Sequence, residues 1–291
     1  MGINKKNLMT RTLSGAVLAV VFFGAIYCSQ WSFGVLMLAM VIGCQREFYR
    51  MCRAAGSEPQ QFAGTVLGAA LAVMAFVIFM QFGSQSAVDA VVGKTVYALG
   101  LYMLLLVPTV FICEMVRNRP TPIANVAATF AGVMYVAVPI SLLFFVPLLL
   151  GGGEWNPWMM LAYVVIVWSN DIFAYLVGCA IGRHRMCERI SPKKSWEGFF
   201  GGVIGSLAMG ALGAYIVDGN YIMWIGLAAV VSLSSVVGDL AESMFKRDAG
   251  VKDSGAFIPG HGGMLDRFDA LIFSAPFAFL YLIIANIFLT A

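Results

Sequence analysis

Residues 222–247 read IMWIGLAAVVSLSSVVGDLAESMFKR, and this stretch decides how the chain folds. Its first twenty residues, Ile222 to Ala241, carry one ionisable side chain, Asp239. A helix of that length rises about 30 Å, the thickness of a bilayer's hydrocarbon core. The stretch therefore predicts a membrane-spanning helix with an acid near one end. Its last residues turn polar, with Glu242, Ser243, Lys246 and Arg247. If the helix continues, Asp239, Glu242 and Lys246 fall at i, i+3 and i+7 and share one face with Ser235.

The same character runs through all 291 residues, of which 60% are hydrophobic and 11% charged. A soluble domain carries about 25% charged residues. Nine apolar stretches have roughly spanning length, near 12–28, 31–45, 63–82, 95–113, 125–150, 158–178, 199–217, 222–241 and 269–290. The fifth is long and contains Pro139 and Pro147, which predict a kink or break. Strict alternation of apolar and polar residues is missing from these stretches, which argues against a β-barrel. The expectation is an all-α, polytopic membrane protein with about nine transmembrane helices. It divides into N-terminal helices over 1–122 and a C-terminal catalytic region over 123–291, in one integral membrane unit. The basic run Lys5, Lys6 and Arg11 before the first stretch resembles a signal peptide. No small-residue cleavage site follows it, so it reads as a retained first helix.

Charge sets the orientation. With nine spans, 17 of the 18 lysines and arginines fall on one side, and Lys94 alone falls on the other. The positive-inside rule places that side, and the N-terminus, in the cytoplasm. The two largest polar segments, 183–198 and 242–268, then face the cytoplasm too. The six cysteines form no C-x-x-C pair, and the two histidines lie far from them, so zinc and disulfides are poorly supported.

Residues 243–269 gather Lys246, Arg247, Lys252 and Arg267 with Asp248, Asp253, Asp266 and Asp269, and a Pro259-Gly260-His261-Gly262-Gly263 turn. The cations suit phosphate oxygens. Asp239, Asp253, Asp266 and Asp269 suit a hard divalent ion. The glycines allow backbone N–H groups to approach an anion. Plainer alternatives stand beside these readings. Glu242 and Lys246 have the spacing of an ordinary helical ion pair, and Asp269 that of an acid favoured by a helix N-terminus. Asp171 lies within the sixth stretch, about 18 Å along the helix from Met159, and an ionisable residue there is a functional candidate. The loop Ser191-Pro192-Lys193-Lys194-Ser195-Trp196-Glu197-Gly198 suits phosphate, anionic lipid, or topology alone. The Gly201-Gly202 and Gly205 run predicts close helix packing.

Ser243 to Asp269 resembles the signature of the phosphatidate cytidylyltransferases, the CDP-diacylglycerol synthases. The Ser-x-apolar-Lys-Arg head, the Lys-Asp-x-Gly middle and the Pro-x-His-Gly-Gly-apolar-x-Asp-Arg-apolar-Asp tail are all present. Asp171-x-x-Ala174-Tyr175-x-x-Gly178 and the 191–198 loop are similar to the family as well. Ile172 and Ser195 depart from it, where a hydroxyl residue and Thr are usual. The resemblance implies transfer of CMP from CTP to phosphatidate, with release of pyrophosphate, at a site facing the cytoplasm of a bacterial membrane. It implies Mg²⁺, paired with K⁺, and matches Asp239 and Asp266 to metal-binding acids. Lys246 and Arg267 join those two as catalytic residues. Asp171, Ser191, Lys193, Lys194, Glu242, Arg247, Lys252, Asp253, His261, Gly262 and Gly263 are the substrate-binding set. The implied partners are CTP, phosphatidate, membrane lipids and a second copy of the chain, without nucleic acid. A CTP-dependent lipid kinase is the competing enzyme, and an ion-coupled transporter using Asp171 and Asp239 the competing non-enzyme.

Overall fold

The computed structural model describes residues 5–81, 88–255 and 262–289, apart from the side chains of 5–13, 88–92, 95 and 289. Helices dominate: α1 Lys5–Cys28, α2 Gln30–Ala54, α3 Gln61–Gln81, α4 Val88–Arg117, α5 Pro122–Gly132, α6 Val138–Leu142, α7 Val146–Leu150, α8 Pro157–Ile181, α9 Trp196–Ile216, α10 Tyr221–Asp248 and α11 Leu265–Leu289. Among the described residues seven helical segments are long and apolar enough to cross a membrane. Two of the nine expected spans are not among these seven. The apolar part of α1 that is described, Ser14–Cys28, is short. In α2, Gln45, Arg46 and Glu47 cut into the apolar run.

The long fifth stretch is interrupted, as its prolines predict. α5 passes into a π-helical turn at Val133–Ala137, where Val138 N–H reaches back to Val133 O, and the chain breaks again between α6 and α7. A two-stranded antiparallel hairpin, β1 Arg185–Cys187 and β2 Ser191–Ser195, is the one addition to the all-α expectation among the described residues. Its short strands sit within a polar segment where no apolar alternation announced them.

The chain divides into two compact units. The first comprises Met1–Ile78, Val96–Ser141 and Phe245–Phe268; the second comprises Phe79–Thr95, Leu142–Met244 and Asp269–Ala291. In the first, Phe33, Met37, Met40, Val41 and Tyr49 of α2 are fully buried. Tyr49 fills the space left by Gly64 and Gly132, and its hydroxyl donates to Thr129 O at 3.0 Å. Gln45 donates to the Gly64 and Gly132 carbonyls, each at 3.3 Å. Buried polar groups in an apolar interior cost stability unless paired in this way.

In the second unit α8 and α9 pack closely through glycine. A side chain at Gly202 would meet Asn170, one at Gly205 would meet Phe173, and one at Gly201 would meet Val177. The Gly201-Gly202 and Gly205 run is thus a helix-packing surface, as read from the sequence. Trp224, Leu227 and Val231 of α10 and Leu271, Ile272 and Ala275 of α11 are buried in the same unit. Tyr163 and Ser274 share a hydrogen bond at 3.2 Å there, and Asn286 donates to Leu149 O at 3.0 Å.

Candidate active site

Asp239, Glu242 and Asp269 form a compact group of carboxylates in the second unit. One oxygen from each lies within 4.8 Å of the other two. α10 supplies Asp239 and Glu242 one turn apart, and α11 supplies Asp269. Gly238 lets the helices meet, since a side chain there would strike Phe273 Cβ and Asp269 O. Glu242 is 1% exposed and Asp269 8%. The Asp269 carboxylate accepts from Ala270 N–H at 2.8 Å. Asp239 is more open, accepts weakly from Ser243 Oγ at 3.4 Å, and pairs with Lys194 Nζ at 2.6 Å. Three acids with one lysine leave an excess of negative charge around oxygen donors. That donor set fits a hard divalent cation such as Mg²⁺.

Lys194 reaches Asp239 because the hairpin carries it. Alternation along β2 leaves Lys193 exposed and Lys194 partly covered. The hairpin base is clamped by Glu197, which accepts from Arg183 N–H at 3.1 Å and His184 N–H at 3.2 Å and meets His184 Nδ1 at 2.6 Å. Ser195 caps α9 by accepting from Gly198 N–H at 3.2 Å. Ser191 is half-buried at the start of β2, and Asp171 is exposed on α8.

The remaining predicted residues gather in the first unit. Gly250, with φ +66°, ends α10, and Val251 N–H reaches back to Lys246 O at 2.9 Å. Asp266, in the first turn of α11, organises the loop between these helices. Its Oδ2 accepts from Ser254 N–H at 2.9 Å, Ser254 Oγ at 3.0 Å and Gly263 N–H at 2.8 Å, and its Oδ1 pairs with Lys246 Nζ at 2.8 Å. Gly262, with φ +87°, takes a backbone conformation that side-chain-bearing residues rarely adopt. Arg247, Lys252, Asp253 and Arg267 are exposed. His261 lies outside the described residues, as do Pro259 and Gly260.

Two residues outside the candidate site set complete the loop's support. Glu47 of α2 is 8% exposed. Its Oε2 accepts from Leu265 N–H at 2.8 Å and Ser254 Oγ at 3.1 Å. Arg50, one turn on, donates to Ser254 O at 3.2 Å. Side chains at Gly255 or Gly263 would collide with the Glu47 carboxylate. No local signal marks Glu47, because its partners lie more than 200 residues away. By sequence Asp269 stands among the acids suited to a divalent ion, but the helix-dipole alternative keeps it out of the candidate site residues.

Seven helices among the described residues are long and apolar enough to cross a membrane, and with a carboxylate cluster served by a lysine they point to an integral membrane protein with a charged, cation-compatible site. A sequence profile of the cytidylyltransferase family matches residues 9–285. A phosphatidate cytidylyltransferase of Synechocystis sp. is 32% identical over 302 residues, covering 94% of this chain and 96% of the relative. One from Staphylococcus aureus strain COL is 49% identical over 114 residues, covering 38% of this chain and 44% of the relative. One from Haemophilus influenzae is 44% identical over 125 residues, covering 40% and 43% respectively. The chain belongs to the cytidylyltransferase family and is a nucleotidyl-transferring enzyme.

Proposed function

We propose that this enzyme transfers CMP from CTP to phosphatidate, giving CDP-diacylglycerol and pyrophosphate, at the cytoplasmic face of a bacterial membrane. The observation that carries the mechanistic reading is the convergence of Asp239, Glu242 and Asp269 within 4.8 Å. The relatives' names and the full 243–269 signature support the choice of reaction. The segregation of basic residues supports the orientation, and the family resemblance a homodimer.

In this reading Asp239, Glu242 and Asp269 hold Mg²⁺, and the resemblance adds K⁺. The bound cation supplies charge neutralisation to the triphosphate. Asp266 was expected as a second metal acid. Its oxygens are engaged by four donors, so we assign it to organising the loop and give the ion to the other three. The phosphate of phosphatidate is already anionic at neutral pH, so its oxygen attacks the CTP α-phosphorus without a general base. The bond from that phosphorus to the bridging oxygen breaks, and pyrophosphate leaves with the electron pair. What the protein contributes is positioning and charge. Lys193, Arg247, Lys252 and Arg267 present exposed cations for phosphate oxygens. Lys194 competes with the metal for Asp239 and limits repulsion within the acidic cluster. Ser191, Asp171, Asp253, Gly262 and Gly263 belong to the substrate surface, with His261 as a hydrogen-bonding rather than basic residue.

The test is a labelled-CTP assay on purified protein with phosphatidate and with polyprenol as acceptors, with and without Mg²⁺. CDP-lipid and pyrophosphate are expected, from phosphatidate alone and only with the cation. Phospholipid and CDP would establish a lipid kinase instead. Undiminished turnover after exhaustive chelation would remove the metal from the mechanism.

A further inference from the structure

The hairpin between α8 and α9 has a base and an arm, and an acid holds the base. Two short strands alone make a marginal hairpin, so its place in the fold depends on what anchors it. Glu197, in the first turn of α9, reaches back to the residues that leave α8. Its Oε2 accepts from Arg183 N–H at 3.1 Å and His184 N–H at 3.2 Å, and its Oε1 meets His184 Nδ1 at 2.6 Å. The His184 side chain is 80% exposed, and an exposed ion pair contributes little. The two bonds from backbone N–H groups to the carboxylate are charge-assisted and carry more of the anchoring. Trp196 N–H closes the same junction on His184 O at 2.9 Å. Gly182 lies against Ser195, where an added Cβ would come within 2.7 Å of Ser195 Oγ.

The arm carries a bulge. Arg185 pairs with Ser195 and Cys187 with Ser191, so Met186 alone on β1 faces Pro192, Lys193 and Lys194 on β2. A bulge bends its strand and re-aims the side chains within it. Arg185 braces this one, since its Nη1 donates to Lys193 O at 3.2 Å. Lys193 is left exposed, while Lys194 turns to Asp239, with Nζ 2.6 Å from Oδ2. The pair is only partly covered, the Lys194 side chain being 24% exposed and that of Asp239 36%. Lysine gives up much rotamer freedom to make such a contact, and a mobile backbone would add to that cost. The contact therefore depends on a fixed arm.

We propose that Glu197 is a positioning residue: it fixes the base of the hairpin so that the bulge delivers Lys194 to Asp239. It acts through Lys194 and not on the acidic cluster itself. The consequence for the reaction rests on the function proposed above, in which Asp239 holds the cation and Lys194 contends for it. Without the anchor the arm is free to leave Asp239. Glu197 thereby sets how much of that carboxylate's charge is offered to a metal, and Glu197→Ala should copy Lys194→Ala in both metal affinity and turnover.

The test reads Lys194 directly, on the full-length protein in detergent without divalent ions. An amine-acetylating reagent is applied briefly, and the label at each lysine is followed by peptide mass spectrometry, with exposed Lys193 as the internal reference. In the wild type Lys194 should label more slowly than Lys193. Glu197→Ala should raise the Lys194 rate about fivefold, the factor set by about 1 kcal/mol of ion pairing, with Lys193 unchanged. Glu197→Gln keeps one acceptor oxygen for the backbone and should give a smaller rise. Asp239→Asn should give the full rise by itself, and adding Glu197→Ala to it should raise the rate no further. An unchanged Lys194 rate in both Glu197 variants overturns the proposal. A further rise in the double variant, or an equal rise at Lys193, marks general loosening and overturns it as well. Turnover is measured alongside. Faster labelling of Lys194 with undiminished turnover supports the positioning and refutes only the use of Lys194 in the reaction.

Discussion

Replacing Glu47 tests whether the signature loop depends on a helix remote from it in sequence. In Glu47→Ala, Leu265 N–H loses its acceptor in a buried place, while Ser254 Oγ keeps only Asp266. A hydrogen bond to a charged group contributes about 1.5–3 kcal/mol. The Ser254 hydroxyl has one proton, which Asp266 retains, so one full hydrogen bond is lost and the local cost is about 1.5–3 kcal/mol. That energy is spent where the chain enters α11, one residue before Asp266. A displacement there moves Gly263 and the Asp266 carboxylate together. Misplacement by about 1 Å can reduce turnover by about a hundredfold. Glu47→Gln keeps an acceptor oxygen and loses only the charge, so its loss should be roughly tenfold at most. The assay is cytidylyl transfer at saturating CTP, paired with Mn²⁺ binding followed by electron paramagnetic resonance. Turnover should fall in the order wild type, Gln, Ala, with Mn²⁺ affinity unchanged. Equal turnover in the Ala variant and the wild type would refute the reasoning. So would parallel loss of Mn²⁺ binding, because Glu47 would then act on the metal rather than the loop.

Further measurements separate the roles of the acids and the helix contacts. Asp239→Asn should weaken Mn²⁺ binding by more than about tenfold, whereas Asp266→Asn should abolish turnover and leave Mn²⁺ affinity as in the wild type; loss of binding in both would return Asp266 to the metal. Lys194→Ala removes the cation that contends for Asp239, so metal affinity should hold or rise while turnover falls. A drop in affinity would contradict that competition. Gly202→Ala places a methyl group 2.7 Å from Asn170 Oδ1 and 2.8 Å from Asn170 O. A cost of about 1–3 kcal/mol should lower the thermal midpoint in detergent. Gly24→Ala, with nothing within 4 Å, serves as the neutral control.

What the sequence revealed follows the range of the forces involved. The apolar stretches were legible because burial in lipid is a property of twenty consecutive residues, and the break near Pro139 and Pro147 because proline acts on its own backbone. The glycine contacts of α9 were legible because only a missing side chain permits such an approach. The 185–195 hairpin was not, since it is held by the Glu197 clamp and short ladders rather than by a periodic pattern. α2 shows the limit most clearly. Arg46, Glu47 and Arg50 look alike in sequence, as polar residues ending an apolar helix. The fold separates them: Glu47 is buried against Leu265 N–H, and Arg50 reaches Ser254 O.

Asp266 and Asp269 carry this argument to the site itself. They sit three residues apart on α11, and the family signature includes both. Their chemistry diverges because their neighbours do. Asp266 meets Lys246 and two loop N–H groups, so its charge is consumed in holding the turn. Asp269 is covered and meets Asp239 and Glu242, so its charge adds to an excess that a lysine alone does not balance. A buried carboxylate beside two others is unfavourable without a cation, since each acid raises the cost of ionising the next. The sequence spacing places both acids near the start of one helix, Asp266 in its first turn. The partners supplied by α2, α10 and the loop decide which one organises the backbone and which one is left to hold an ion.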